Sequence, residues 1–112
     1  MPTVLSFVTL RCKDLDRSCA FFETLGLVTA LIRHKDGSQH FDCKAGGQTI
    51  ELYPSRRGDT HELRIGFQVN NLGEVLHDLR AQGIEILQTL GAPVVRYAVV
   101  KDPDGHTVEL RG

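Results

Sequence analysis

The chain has no tryptophan, one methionine, two tyrosines and five phenylalanines in 112 residues. At 6% aromatic content, stacking platforms are scarce, which argues against recognition of a flat, cationic drug. Charge of one sign is also missing. Thirteen Lys and Arg against fourteen Asp and Glu leave a formal net charge of −1. There is no basic field to gather nucleic acid or an anionic membrane, so neither is expected as a partner. No apolar run approaches the ~20 residues that span a bilayer. The start, Met1-Pro2-Thr3-Val4-Leu5, lacks the charged and then apolar regions of a signal peptide. Cysteine is sparse: Cys12, Cys19 and Cys43 are odd in number and without metal-ligand spacing. They read as reduced thiols, two of them partly buried, in a cytoplasmic protein. The histidines form no i, i+4 ligand pair on a helix. All five are expected at the surface: His34 and His40 near a hairpin, His61 in a linker, His77 on a helix and His106 at a turn.

What the chain does have is repetition. Gly47-Gln48-Thr49-Ile50-Glu51-Leu52 returns as Gly105-His106-Thr107-Val108-Glu109-Leu110, 58 residues on. A second echo, Leu15 through Gly26-Leu27, returns as Leu72 through Gly83-Ile84 at a spacing of 57. A repeat of this length marks two supersecondary units, neither able to bury its apolar face alone. The apolar fraction of 41% and charged fraction of 24% suit one compact domain of ordinary composition.

Local patterns give the plan of each unit. Val4 to Cys12 is an apolar-rich strand, and Asp14 or Asp16 can cap a following helix with Leu15, Cys19, Phe22 and Leu25 on one stripe. Gly26 ends it. Leu27 to Arg33, Gln39 to Lys44 and Gln48 to Tyr53 read as strands around turns at Asp36-Gly37 and Ala45-Gly46-Gly47. The polar stretch Pro54 to Glu62 reads as a linker. The second unit repeats the order: strand Leu63 to Val69, a helix capped by Asn70 or Asn71 and buried through Leu72, Val75, Leu76 and Leu79, then strands Ile84 to Leu87, Val94 to Val100 and His106 to Leu110. The expected class is α+β, with module 1 at about 1–53, a linker at 54–62 and module 2 at about 63–112. Asp102-Pro103-Asp104-Gly105 is a strong turn before the last strand.

This layout resembles the vicinal oxygen chelate superfamily, which includes glyoxalases, extradiol dioxygenases, and fosfomycin- and bleomycin-resistance proteins. The resemblance is carried by Leu10-Arg11-Cys12-Lys13-Asp14-Leu15 leading into Phe21-Phe22 and Leu25-Gly26-Leu27, and by the segment Asp102 to Leu110. It implies two βαβββ modules forming a cupped mixed sheet around a cavity, and a homodimer. It also implies metal ligands at the first and last strand of each module. Those positions fall here at Phe7, Glu51, Arg64 and Glu109. Glu51 and Glu109 match the family pattern. Phe7 has no lone pair, and Arg64 is a permanent cation with donors only. Two carboxylates alone are a poor transition-metal site, so no metal and no cofactor are expected there.

Arg64 is expected to stand where the metal charge was, between Glu51 and Glu109, paired with carboxylate and offering a free edge to an acidic or carbonyl-bearing ligand. Strand alternation adds Thr49 and Tyr53 beside Glu51, Thr107 and Arg111 beside Glu109, and Gln68 beside Arg64, with Phe7 as an apolar wall. The leading expectation is metal-free small-molecule binding. The competing readings are a metal-dependent lyase, isomerase or dioxygenase, a metal-independent enzyme with Glu51 or Glu109 as base, and a closed structural module. His61, three residues before Arg64, is a possible substitute ligand if the strand register slips.

Overall fold

The computed structural model describes residues 7–56 and 63–112. The element order is β1 Phe7–Cys12, α1 Leu15–Thr24, β2 Val28–Arg33, β3 Gln39–Ala45 and β4 Gln48–Pro54, then β5 Arg64–Gln68, α2 Leu72–Ala81, β6 Ile86–Leu90, β7 Tyr97–Lys101 and β8 Thr107–Arg111. The α+β class with two βαβββ modules is therefore what the chain forms. The expected strand start at Val4 and the linker from residue 57 onward, His61 included, lie outside the described residues.

The two helices begin differently and end alike. Asp14 caps α1, its carboxylate accepting from the Arg17 N–H at 3.0 Å. Asn71 sits at the equivalent place before α2 but makes no side-chain cap bond. Its backbone is left-handed, φ 55°, whereas a capping side chain is aimed by an extended backbone. At the other end, Leu27 N–H reaches back to the Phe22 carbonyl at 3.1 Å, and Ile84 N–H to the Leu79 carbonyl at 3.0 Å. Both closures pass through a glycine at positive φ, Gly26 at 102° and Gly83 at 77°, the stop that the repeat carries in both copies. Closing α2 occupies Ile84, so β6 starts at Ile86, later than the expected Ile84, and is irregular between Ile86 and Gln88. Likewise β7 starts at Tyr97, because the chain first closes a loop with Arg96 N–H on the Leu90 carbonyl.

Each module is one four-stranded mixed sheet, ordered β1-β4-β3-β2 and β5-β8-β7-β6. In each, the first strand pairs in parallel with the last, and the remaining pairs are antiparallel. Phe7 lies opposite Thr49 as Arg64 lies opposite Thr107, and Thr9 opposite Glu51 as Gly66 opposite Glu109. The register thus places Phe7 and Arg64 at equivalent points.

Alternation sends Leu10, Cys12, Ile50 and Leu52 to the helix-covered face of the first sheet, and Val108 and Leu110 to that of the second. These side chains join Phe21, Phe22, Leu72, Leu76 and Leu79 in one buried cluster drawn from both modules. The modules also meet through the Phe22 and Phe67 rings, 6.2 Å apart, and a 2.7 Å bond from Gln82 Nε2 to Thr24 Oγ1. Asp104 joins them at the turn before β8, accepting from Lys13 N–H at 2.8 Å and Ser18 Oγ at 3.1 Å. The opposite sheet faces stay open, in a molecule 51 × 39 × 23 Å across.

Candidate functional site

The open face of the second sheet is built from cross-strand pairs. Gln68 lies opposite Arg111, Arg64 opposite Thr107, Tyr97 opposite Arg111, and Lys101 opposite Thr107. Arg64 Nη2 donates to Glu109 Oε1 at 3.0 Å, with the Arg64 side chain 58% and the Glu109 side chain 25% exposed. The Tyr97 hydroxyl donates to the same oxygen. The Arg64 bond, then the Tyr97 bond, hold the Glu109 carboxyl well below the usual range, at about 2. Bonding to Glu109 in turn raises the Tyr97 hydroxyl and the Arg64 guanidinium. A carboxylate held ionised so firmly is a poor proton acceptor near neutral pH. Arg111 lies over the Tyr97 ring at 5.9 Å, and Lys101 donates to Thr107 Oγ1 at 3.1 Å. Arg64, Lys101 and Arg111 therefore give this face a cationic character.

The open face of the first sheet is different. Thr9 Oγ1 donates to Glu51 Oε1 at 3.1 Å. Asp42 on β3 is directly opposite Glu51 on β4. His40 Nε2 lies 2.8 Å from Asp42 Oδ1, and His40 Nδ1 lies 2.8 Å from His34 Nε2. Tyr53 stacks on the His40 ring at 4.3 Å, and the Arg11 guanidinium lies over Tyr53 at 5.4 Å. Phe7 stands opposite Thr49 at the edge of this face, 55% exposed.

Sequence reasoning missed His40, Asp42 and Tyr97. Of the five histidines expected at the surface, His40 and His106 are buried, at 5% and 2% exposure. The turns would have placed two of the missed residues: the Ala45-to-Gln48 turn fixes Asp42 against Glu51, and the Asp102-to-Gly105 turn fixes Tyr97 against Arg111. His106 is held inside its turn, with Nδ1 2.6 Å from Asp102 Oδ2. Asp102 also accepts the N–H groups of Asp104 and His106. That bonding fixes the turn.

The nine expected site residues divide between the two sheets. Arg64 was expected between Glu51 and Glu109 but bonds Glu109, and the donor to Glu51 is the Thr9 hydroxyl, because the two glutamates lie on separate sheets. Among the described residues the strands form two separate four-stranded sheets. A cavity of about 620 Å³ does lie between the modules, lined by the end of α1, the β3–β4 turn and β5. It takes in Gln68 but none of Phe7, Glu51, Arg64 or Glu109. Glu51, Arg64 and Glu109 lie instead on the open faces, with Phe7 at the edge of the first. All three cysteines are free and buried, where two were expected partly so. Burial pushes the Cys12 and Cys43 thiols up to about 12 and Cys19 to about 11, so none is a ready nucleophile.

A family model, described as the Glyoxalase/Bleomycin resistance protein/Dioxygenase superfamily, matches residues 4–110. No curated protein sequence matches. Among solved structures, the trypanothione-dependent glyoxalase I of Leishmania major is similar at a TM-score of 0.77 and 24% identity, over 99% of this chain and 87% of that one. The fosfomycin resistance protein FosX of Listeria monocytogenes, seen with Mn(II) and 1S,2S-dihydroxypropylphosphonic acid, is similar at 0.77 and 23%, over 99% and 93%. TnmS3, an antibiotic binding protein from Streptomyces sp. CB03234, is similar at 0.72 and 18%, over 98% and 95%.

Proposed function

The chain belongs to the glyoxalase/bleomycin resistance protein/dioxygenase superfamily, and on that premise we propose that it binds a small acidic or carbonyl-bearing molecule on its open sheet faces, with no ion held jointly by the four strand positions the family uses. The observation that carries this reading is the 3.0 Å bond from Arg64 to Glu109. A guanidinium occupies one position and a phenyl ring another, so these four residues do not fit a divalent ion. The free edge of Arg64, with Arg111 beside Tyr97, is a fork suited to a carboxylate or phosphonate. The similar folds include an antibiotic binding protein and one seen with a phosphonic acid, which supports the same ligand class.

The site is completed by a second copy of the chain. The first face sets Asp42 and Glu51 beside Lys44 and Arg11, and the second sets Glu109 among Arg64, Lys101 and Arg111, so each offers both signs of charge to a partner. Phe7 and Val28 on the first, and Leu90 on the second, are large apolar side chains left exposed. A homodimer that sets one face against the other would close the cup and cover them. No helix among the described residues is long and apolar enough to cross a membrane, and the free thiols support a cytoplasmic setting.

The test is a thermal-shift panel of small carboxylates and phosphonates on the wild type and Arg64→Met, with sedimentation of both. Hits lost in the variant, from a folded dimer, support the reading. Hits retained at full strength in Arg64→Met, or a wild type that stays monomeric, contradict it.

A further inference from the structure

The two modules treat their carboxylates unequally. Glu109 has Arg64 and Tyr97. Glu51 has the Thr9 hydroxyl and stands opposite a second carboxylate, Asp42. Like charges directly opposite on a ladder repel. Two residues before Asp42 on β3, and on the same face, is the buried imidazole of His40, with donor atoms of His40, Asp42 and Glu51 all within 4.8 Å of one another.

From this arrangement we infer that His40, Asp42 and Glu51 form a binding site for a divalent transition ion such as Zn²⁺, on β3 and β4 of the first module. The site shares Glu51 with the four positions considered above but uses none of Phe7, Arg64 and Glu109, and it does not rest on the small-molecule reading. One imidazole and two carboxylates are a donor set that zinc accepts, and three protein ligands leave a fourth position open to water or a ligand oxygen.

The tautomer of His40 links the site to its surroundings. When His34 Nε2–H donates to His40 Nδ1, His40 Nε2–H donates to Asp42 and the chain is satisfied without an ion. When His40 Nδ1–H donates to His34 instead, His40 Nε2 turns a lone pair on a carboxylate oxygen 2.8 Å away. Two acceptors at that distance need a cation between them. An ion selects this second arrangement. His34 then accepts the outer N–H of a ligating histidine, the role a carbonyl or carboxylate plays around many metal sites. Tyr53, stacked on the His40 ring, fixes its plane. The proton that leaves His40 Nε2 is matched by one taken up at His34 Nδ1, so both imidazoles stay neutral and the change is a shift of tautomer.

Cobalt tests this directly. The full-length protein, stripped with chelator and titrated with CoCl₂, is expected to take up one Co(II) per chain with visible d–d absorption that ZnCl₂ abolishes. Asp42→Asn and Glu51→Gln are expected to remove the band, and Glu109→Gln to leave it. His34→Phe, at an exposed position, is expected to weaken Co(II) by about tenfold or more. It keeps the test open should a change at the buried end disturb folding, which circular dichroism will show. No bound Co(II) in the wild type, or a band unchanged in folded Asp42→Asn and His34→Phe, overturns the inference. Arg64→Met is expected to keep the band, so loss of ligand binding there and loss of cobalt binding here are separate failures.

Discussion

Asp42 stands directly opposite Glu51 across the β3–β4 ladder, and the equivalent partner of Glu109 across β7–β8 is Val99. One half of the fold therefore sets its glutamate beside a second carboxylate and an imidazole, and the other sets its glutamate beside Arg64 and Tyr97. Duplication supplied the scaffold twice, and the cross-strand partners then made the faces chemically distinct.

Arg64→Met is expected to leave the melting temperature nearly unchanged, because the Arg64–Glu109 pair is largely solvated and screened. Differential scanning calorimetry checks this. A large loss of stability would mean that the pair is structural and would count against ligand recognition by its free edge.

Tyr97→Phe removes one donor from Glu109 while keeping the ring beneath Arg111. The Glu109 carboxyl is expected to titrate above about 2 in this variant, as followed by carboxyl carbon NMR. An unchanged titration would place the whole effect on Arg64.

The buried Asp102–His106 pair predicts a pH dependence on the alkaline side. Bonding to Asp102 raises the His106 pKa above its ordinary 6.5. Its contribution is complete below the unfolded value and is lost as pH rises through the folded one. Urea denaturation is expected to show falling stability from near-neutral to alkaline pH, flattened in His106→Gln. Glu109 acts in the opposite sense: its contribution is present above 4.5 and is lost as pH falls toward about 2.

Leu79 is fully buried where the α2 stripe meets the shared core. Leu79→Ala is expected to cost about 2–5 kcal/mol, measured by the same denaturation. Gly91 presents a different constraint. At φ 108° a Cβ there would lie 2.5 Å from the Val94 carbonyl oxygen and 2.9 Å from Arg96 N. Gly91→Ala is expected to cost more than the ~1 kcal/mol typical of a strained φ alone. At Gly105, φ 87°, nothing lies within 4 Å, and only the backbone strain applies.

Much of the fold was legible because its signals are local. Gly26 and Gly83 stop their helices at the expected residues, and Leu72, Val75, Leu76 and Leu79 form the buried stripe that 3.6-residue spacing predicts. The boundaries that moved did so under nearby competition: Ile84 is taken by the helix closure, and Asn71 adopts a backbone that a capping side chain does not use. In the candidate site, a pairing of Arg64 with carboxylate was expected from the family resemblance, while its restriction to Glu109 was not legible, nor were the places of His40, Asp42 and Tyr97. They lie on strands whose facing depends on hairpin register, which single-strand alternation does not supply.

The order of residues by itself determined the doubled βαβββ plan, the equivalence of Phe7 with Arg64, and the mismatch of those two side chains with a metal centre, because periodicity and side-chain chemistry are properties of short segments. Only the tertiary structure decided which partner each glutamate received, that His40 and His106 are buried, and that the two sheets keep separate open faces. Those outcomes are set by contacts between strands and modules remote in the chain, where packing and ladder register act together.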